Sequence, residues 1–337
     1  MSQSISFVVA ARNDNYGGQF LHRIQNFTNV LFYLSKKHNI KLELVIVEWN
    51  PPADKPRLKD AIKWPQSLHS GAVRIVEVPN DLHRTFENSN KIPVFEYLAK
   101  NVGVRRASGD YVLSTNPDIM FSDKMMEYLG HGDLAEKCFY RADRYDVKIK
   151  IPENLETEQQ LKLCQKSIYQ VHKSFGTQPI GMVEWTKAWI GQNTSRLSPK
   201  RLKKGLIRRG KAILSLNDET KPEWPQLPPA YTNMSGDFFM MAAKQWLKLK
   251  GYPELKTHSH IDSYLCYLAA FSGMEQTILP YPMYHQEHHR GEHRGRPLTV
   301  LFEVPSFKEM VVTGQPRNPN DENWGLHGVD LPVFEYP

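Results

Sequence analysis

No stretch of this chain approaches the ~18 consecutive apolar residues that cross a bilayer, so an ordinary membrane-spanning helix is excluded. Cysteine is scarce. Cys138, Cys164 and Cys266 are odd in number, widely spaced and free of any Cys-x-x-Cys pattern, which points to a reduced, cytoplasmic setting. Met1-Ser2-Gln3-Ser4 leads straight into an apolar run, a reading that leaves no room for a signal peptide. Internal repeats and low-complexity tracts are absent as well.

What is present suits a globular protein. At 337 residues with 40% hydrophobic content, the chain has enough apolar surface for a large core, in one elaborated domain or two. Its net charge of +7 is local rather than general. Arg196, Lys200, Arg201, Lys203, Lys204, Arg208, Arg209 and Lys211 form a run of eight basic residues with no acid among them, and the rest of the chain stands at −1. Leu197, Leu202, Leu206, Ile207, Ala212, Ile213 and Leu214 interleave with these charges, so residues 196–214 read as a basic amphipathic helix suited to an anionic membrane surface. A solvated excursion between domains is the plainer reading of the same run. Nucleic acid is not expected as a partner, because no helix-turn-helix or stacking-aromatic module accompanies the charge.

The most informative run is Gly109-Asp110-Tyr111-Val112-Leu113-Ser114-Thr115-Asn116-Pro117-Asp118. Tyr111, Val112 and Leu113 favour a buried strand, and Pro117 lacks the N–H to continue it, so the strand ends near Thr115. Asp118 is thereby presented outside the carboxyl end of a strand, where open α/β sheets bind ligands. An ordinary Asx-Pro turn is the simpler account of these residues alone.

The flanking segments repeat the theme. The apolar run 5–11 ends in Arg12-Asn13-Asp14-Asn15 and Gly17-Gly18, and helical spacing follows over 19–38. A second apolar run, 42–47, ends in Glu48-Trp49-Asn50-Pro51-Pro52, and a third, 73–78, in Pro79-Asn80-Asp81. Residues 93–107 read as a helix leading back to the strand before Asn116. Strands alternating with helices predict an α/β fold with a mostly parallel central sheet and right-handed crossovers.

In this order the segments resemble the nucleotide-sugar-binding half of GT-A fold glycosyltransferases, particularly the family 2 group. The matching stretches are 10–13, 48–50, 100–108 and 109–118. The resemblance implies nucleotide contacts from Ala11, Arg12, Asn13, Glu48, Asn50, Arg105, Asn116 and Asp118. It departs at the motif itself, which reads Asn116-Pro117-Asp118 where the family has Asp-x-Asp, so one carboxylate is missing. Asn116 is expected to hold the ribose or a metal-bound water through its amide. A divalent cation, Mn2+ or Mg2+, bridging Asp118 and the diphosphate would offset the charge that develops on the leaving nucleotide.

The second half carries the rest of the match. Asn233-Met234-Ser235-Gly236-Asp237-Phe238 precedes a short helix-like stretch and the turn Gly251-Tyr252-Pro253-Glu254, and then Ser259-His260-Ile261-Asp262-Ser263 opens another helix. By resemblance Asp262 is the first choice for the base that deprotonates an acceptor hydroxyl, with Asp237 second. As plain structure, Asp262 is a helix N-terminal acid and Asp237 a turn carboxylate. Beyond them, four histidines and a glutamate (His285, Glu287, His288, His289 and His293) fall within nine residues. Imidazole suits first-row divalent metals, and the family supplies a late histidine ligand; His288 is the preferred one, His285 the alternative. Adjacent His288 and His289 cannot easily face one ion from an extended segment. Arg290, Arg294 and Arg296 extend the positive charge and suit a diphosphate or an anionic acceptor.

These readings divide the chain into a nucleotide-sugar-binding half (1–121), an insertion carrying acceptor specificity (122–230), an acceptor and catalytic half (231–296) and a C-terminal extension or lid (297–337). Arg141, Arg144 and Trp185 lie in the insertion without any spacing that assigns them a role. The expected function is metal-assisted transfer of a sugar from a nucleoside-diphosphate donor, with a UDP-sugar as the default, to a glycan or lipid-linked hydroxyl. Such work belongs to polysaccharide biosynthesis, in the cytoplasm or peripherally at the inner face of a membrane. Inversion of configuration is the expected course. The rivals are a nucleotidyltransferase, which the lack of a Gly-rich triphosphate loop opposes, and a non-catalytic, membrane-associated carbohydrate-binding protein.

Overall fold

The computed structural model describes residues 3–65, 71–174, 176–180, 227–255, 259–288 and 298–336. The basic segment 196–214, Trp185, most of the proline-rich stretch 222–229, and His289, Arg290, His293, Arg294 and Arg296 lie outside the described residues. No helix among the described residues is long and apolar enough to cross a membrane.

The first half is built of strands β1 (Ser4–Ala11), β2 (Lys41–Trp49), β3 (Val73–Val78), β4 (Tyr111–Thr115) and the short β5 (Ile119–Phe121). Between them lie helices α1 (Phe20–Lys37), α2 (Leu58–Ala61), α3 (Asn80–His83) and α4 (Glu96–Arg106). Then come α5 (Asp123–His131), β6 (Cys138–Val147), α6 (Thr157–Lys166), β7 (Ile168–Lys173) and β8 (Gly176–Pro179). The remainder supplies β9 (Phe238–Ala242), α7 (Ala243–Leu249), α8 (Ile261–Phe271), β10 (Glu275–Gln286), α9 (Pro305–Thr313) and β11 (Val333–Tyr336).

All eleven strands among the described residues join one sheet in the order β11-β3-β2-β1-β4-β9-β6-β10-β5, with β7 and β8 continuing from β6. The ladders β3-β2-β1-β4 are parallel, as alternating strands and helices require. Beyond β4 the sheet is mixed: β9 runs antiparallel between β4 and β6, and β10 lies parallel to β6. Residues 122–180, expected as part of an insertion, thus place β6 inside the common sheet. The apolar character of a buried strand does not say which neighbour it will pair with.

β1 shows how the core is divided. Ile5, Phe7, Val9 and Ala11 join the apolar cluster under α1 and α5, while Val8 and Ala10 join the one under α4, α7 and α8. A strand covered on both faces reads as a continuous apolar run rather than an alternating one. Gly103 lets α4 sit close on this sheet, since a Cβ there would strike Val8. Gly109 and Asp110 fix the height of β4 against β1. Asp110 Oδ2 accepts from Ser4 N–H at 2.8 Å and from its hydroxyl at 2.7 Å, and Gly109 N–H donates to Ser6 Oγ at 2.8 Å. The tail, expected as a wrap or lid, returns to the sheet edge, where β11 pairs antiparallel with β3.

Parallel strands share a carboxyl edge, and here it comprises the ends of β1, β2, β3, β4, β6 and β10. Glu48, near the end of β2 and expected beside a nucleotide base, is instead buried beneath α2, where both carboxylate oxygens accept from Leu58 N–H at 3.0 Å. Burial outweighs these bonds, and its pKa is pushed up to about 7 from an ordinary 4.5. The folded state therefore holds more protons than the unfolded one between those two values. The stability contributed by the protonated carboxyl is full below the lower value and is lost as pH rises through the upper. Glu48→Gln is expected to raise stability by about 1–3 kcal/mol at pH 8, with the gain vanishing near pH 4.5, as followed by urea unfolding at both pH values.

Candidate active site

Pro117 ends β4, and the chain turns directly into β5, leaving Asp118 at the carboxyl edge. β10 lies between β5 and β6, and its register sets His285 opposite Ile119 on one side and Asp146 on the other. The imidazole of His285 therefore stands between two carboxylates. Its Nε2 lies 3.6 Å from Asp118 Oδ2 and its Nδ1 lies 3.4 Å from Asp146 Oδ1. His288, just past the strand end, brings Nε2 within 3.1 Å of the same Asp118 oxygen. The sequence offered His288 and His285 as alternatives; the fold brings both to Asp118.

Asp118, His285 and His288 present ligand atoms within 4.8 Å of one another. Asp118 Oδ1 is buried and has no hydrogen-bond partner among the described residues, an arrangement that favours a ligand to that oxygen. Two imidazoles and a carboxylate suit Mn2+ better than Mg2+, which prefers oxygen donors. Burial acts to raise the Asp118 carboxyl, but the charge and hydrogen bonds of His285 and His288 hold it well below the usual range. Burial likewise works against protonation of His285, and Asp118 overcomes it, so the ring is pushed up to about 9.

A loop from β1 to α1 borders this cluster. Asn15, Gly17, Gly18 and Gln19 all adopt positive φ. Arg23, buried in the first turn of α1, donates to the carbonyl oxygens of Tyr16, at 2.6 Å, and of Gly18, and so clamps the loop. Tyr16 remains exposed, its ring edge-on to His288 with centroids 5.4 Å apart.

On the β9 side lies Asn116, expected to hold the ribose or a metal-bound water. Its Oδ1 accepts from Lys100 Nζ at 2.7 Å and its Nδ2 donates to Asp237 Oδ1 at 2.7 Å, so the amide is engaged within the protein. Lys100 is fully buried and also donates to Glu96 and to the carbonyl of Gly236. The other Asp237 oxygen accepts from Arg144 Nη1 at 2.8 Å, so both oxygens of this second candidate base are taken up internally. Asp262, in the first turn of α8, is placed differently. Its Oδ2 accepts from Ser235 Oγ at 2.7 Å and Gly236 N–H at 2.9 Å, while Oδ1 carries no hydrogen bond among the described residues.

The expected nucleotide contacts are spread along the carboxyl edge, with one exception. Arg12 Nε donates to Asn50 O at 2.6 Å, Asn13 to Pro56 O at 2.9 Å, and Asn50 accepts from Asn80 at 2.8 Å, so the ends of β1, β2 and β3 are tied into one wall. Ala11 is buried at the end of β1. Arg105 is the exception. α4 runs opposite to β4, so its C-terminal turn lies at the far edge of the sheet, where the Arg105 guanidinium stacks over Trp324 at 4.7 Å. The α4 residue that reaches the site is Lys100.

No family model matches this sequence, and no curated protein does. Among solved structures, the chain is similar to the mannosyltransferase PcManGT from Pyrobaculum calidifontis in complex with GDP-Man and Mn2+, with 13% identity and a TM-score of 0.41 over 87% of this chain and 59% of that one. It is also similar to GalNAc-T7 with UDP, GalNAc and Mn2+, with 12% identity and a TM-score of 0.47 over 95% of this chain and 52% of that one. The chain thus spans between half and two thirds of the length of each. Neither likeness distinguishes family 2.

Asn116→Asp would rebuild the family motif but place a carboxylate against Asp237. We expect it to lower stability by about 1–2 kcal/mol through like-charge repulsion, without tightening Mn2+ binding. Calorimetric titration with Mn2+ tests this, and tighter binding would show that the side chain can turn toward the metal.

Proposed function

We propose that this protein is a glycosyltransferase that moves a sugar from a nucleoside-diphosphate donor to an acceptor hydroxyl. The observation that carries the reading is the convergence of Asp118, His285 and His288 at the carboxyl edge of the sheet, with an unpartnered carboxylate oxygen among them. These residues would hold Mn2+, which supplies positive charge to the donor diphosphate as the glycosidic bond breaks. The wall formed by Arg12, Asn13, Asn50 and Asn80 is where we place the nucleoside, beside the clamped loop that carries Tyr16.

Asp262 is the base in this proposal. Ser235 and the Gly236 N–H fix one of its oxygens, and the other is left to accept a proton from the acceptor hydroxyl. A base so placed is compatible with inversion. Asp237 is assigned to the framework, because Arg144 and Asn116 already engage it. Gly236 connects the two regions: its carbonyl binds Lys100, its N–H binds Asp262, and a Cβ there would crowd the Tyr97 hydroxyl at 2.8 Å. The acceptor is a glycan or lipid-linked hydroxyl, and hexosyl transfer from a uridine or guanosine diphosphate donor is the form to test first.

Titration of the protein with a panel of nucleoside diphosphates, with and without Mn2+, is the direct test. One diphosphate is expected to bind only with metal, and Asp118→Asn to weaken that binding at least ~100-fold, the cost of losing a charged ligand. Binding of none would remove the donor site. Asp262→Asn is expected to keep donor affinity within a few-fold and to slow transfer by ~10²–10⁴, the usual worth of a general base. Full activity in that variant would remove Asp262 from the mechanism.

A further inference from the structure

Behind the site lies a charged network almost sealed from water. The side chains of Arg144, Asp146, His172, Asp237 and His285 are each between 3% and 7% exposed. Asp146 accepts two hydrogen bonds and has a third nitrogen nearby. Arg144 Nε lies 2.6 Å from its Oδ1, His172 Nε2 lies 2.9 Å from its Oδ2, and His285 Nδ1 approaches Oδ1 at 3.4 Å. Burying such a network costs more desolvation than its mutual attraction usually returns, and apolar replacements are often as stable. Stability alone therefore does not account for it at this place in the sheet.

Geometry gives a reason. His285 and Asp146 are register partners on the parallel strands β10 and β6. Were a metal to displace the Nε2 proton, an imidazole that donates Nδ1–H to a carboxylate would offer its lone pair from Nε2, and here Nε2 faces Asp118. Carboxylate partners of this sort fix the tautomer and ring angle of metal-ligating histidines elsewhere, and their loss typically costs 10–100-fold in metal affinity. Arg144 and His172 hold Asp146 in turn, one on each carboxylate oxygen.

We infer that Asp146 is a positioning residue, which sets His285 by its Nδ1–H so that Nε2 completes a Mn2+ site with Asp118 and His288. The inference rests on the proposed metal site and adds to it a residue with no place in the sequence motifs.

The test is Mn2+ affinity measured without nucleotide, from the electron paramagnetic resonance signal of the free ion. Asp146→Asn is expected to weaken binding 10–100-fold while still unfolding cooperatively. Wild-type affinity in the folded variant overturns the inference and leaves the metal site standing. A loss as complete as that of Asp118→Asn also overturns it, since Asp146 would then be a ligand itself. Absence of Mn2+ binding to the wild-type protein removes the site and the inference together. Should Asp146→Asn fail to fold, the wild-type protein loaded with Zn2+, a diamagnetic stand-in, decides the matter through its long-range 1H–15N histidine spectrum. The signals missing in His285→Gln are expected to show a protonated Nδ1 and a metal-bound Nε2, and the reverse pattern overturns the inference.

Discussion

One guanidinium holds the two sides of the site together. Arg144 bridges Asp146, behind the His285 ring, and Asp237, which continues through Asn116 to Lys100. Without it, two carboxylates would face each other's field in a nearly dry interior, a situation that costs several kcal/mol per uncompensated ion. Desolvation by burial works to discharge Arg144, yet Asp237 and Asp146 more than offset that and raise its pKa above the ordinary value. The fixed positive charge at this point lets one carboxylate lie beneath the proposed metal ligands and another beneath the proposed acceptor side.

The framework also explains the unusual motif at the strand end. In the resembling enzymes two carboxylates flank the variable residue, whereas here the first is an amide. Asn116 has a donor end and an acceptor end, and it sits between a cation and an anion, Lys100 and Asp237. A carboxylate could satisfy only the first. In the proposed metal site imidazole supplies donor atoms in place of the absent carboxylate, though not its charge, since both His285 and His288 reach Asp118.

Much of the scaffold was legible in the sequence because periodicity and strand-ending prolines act locally. The strand before Asn116, the helix over 20–37 and the placing of a carboxylate at a strand end all follow from such signals. What was illegible depended on who pairs with whom. Asp146 and His285 meet only because β6 and β10 are neighbours, and no local pattern announces that register. The same gap made 122–230 look like an insertion, although β6 within it is an interior strand. Arg105 is a different case. A helix that feeds a parallel strand must run against it, so its first turns, not its last, approach the carboxyl edge. That rule favours the 96–100 end of α4, where Lys100 lies, over Arg105.

The loop from β1 to α1 carries a final consequence. Four of its residues hold backbone conformations that side chains other than glycine adopt only at a cost, and Arg23 keeps them there by gripping two carbonyl oxygens. The disorder such a rim would otherwise lose on meeting a ligand has already been surrendered in folding. Association at this edge then proceeds against a rigid wall, and differences among ligands express themselves in shape and charge rather than in the ordering of the chain.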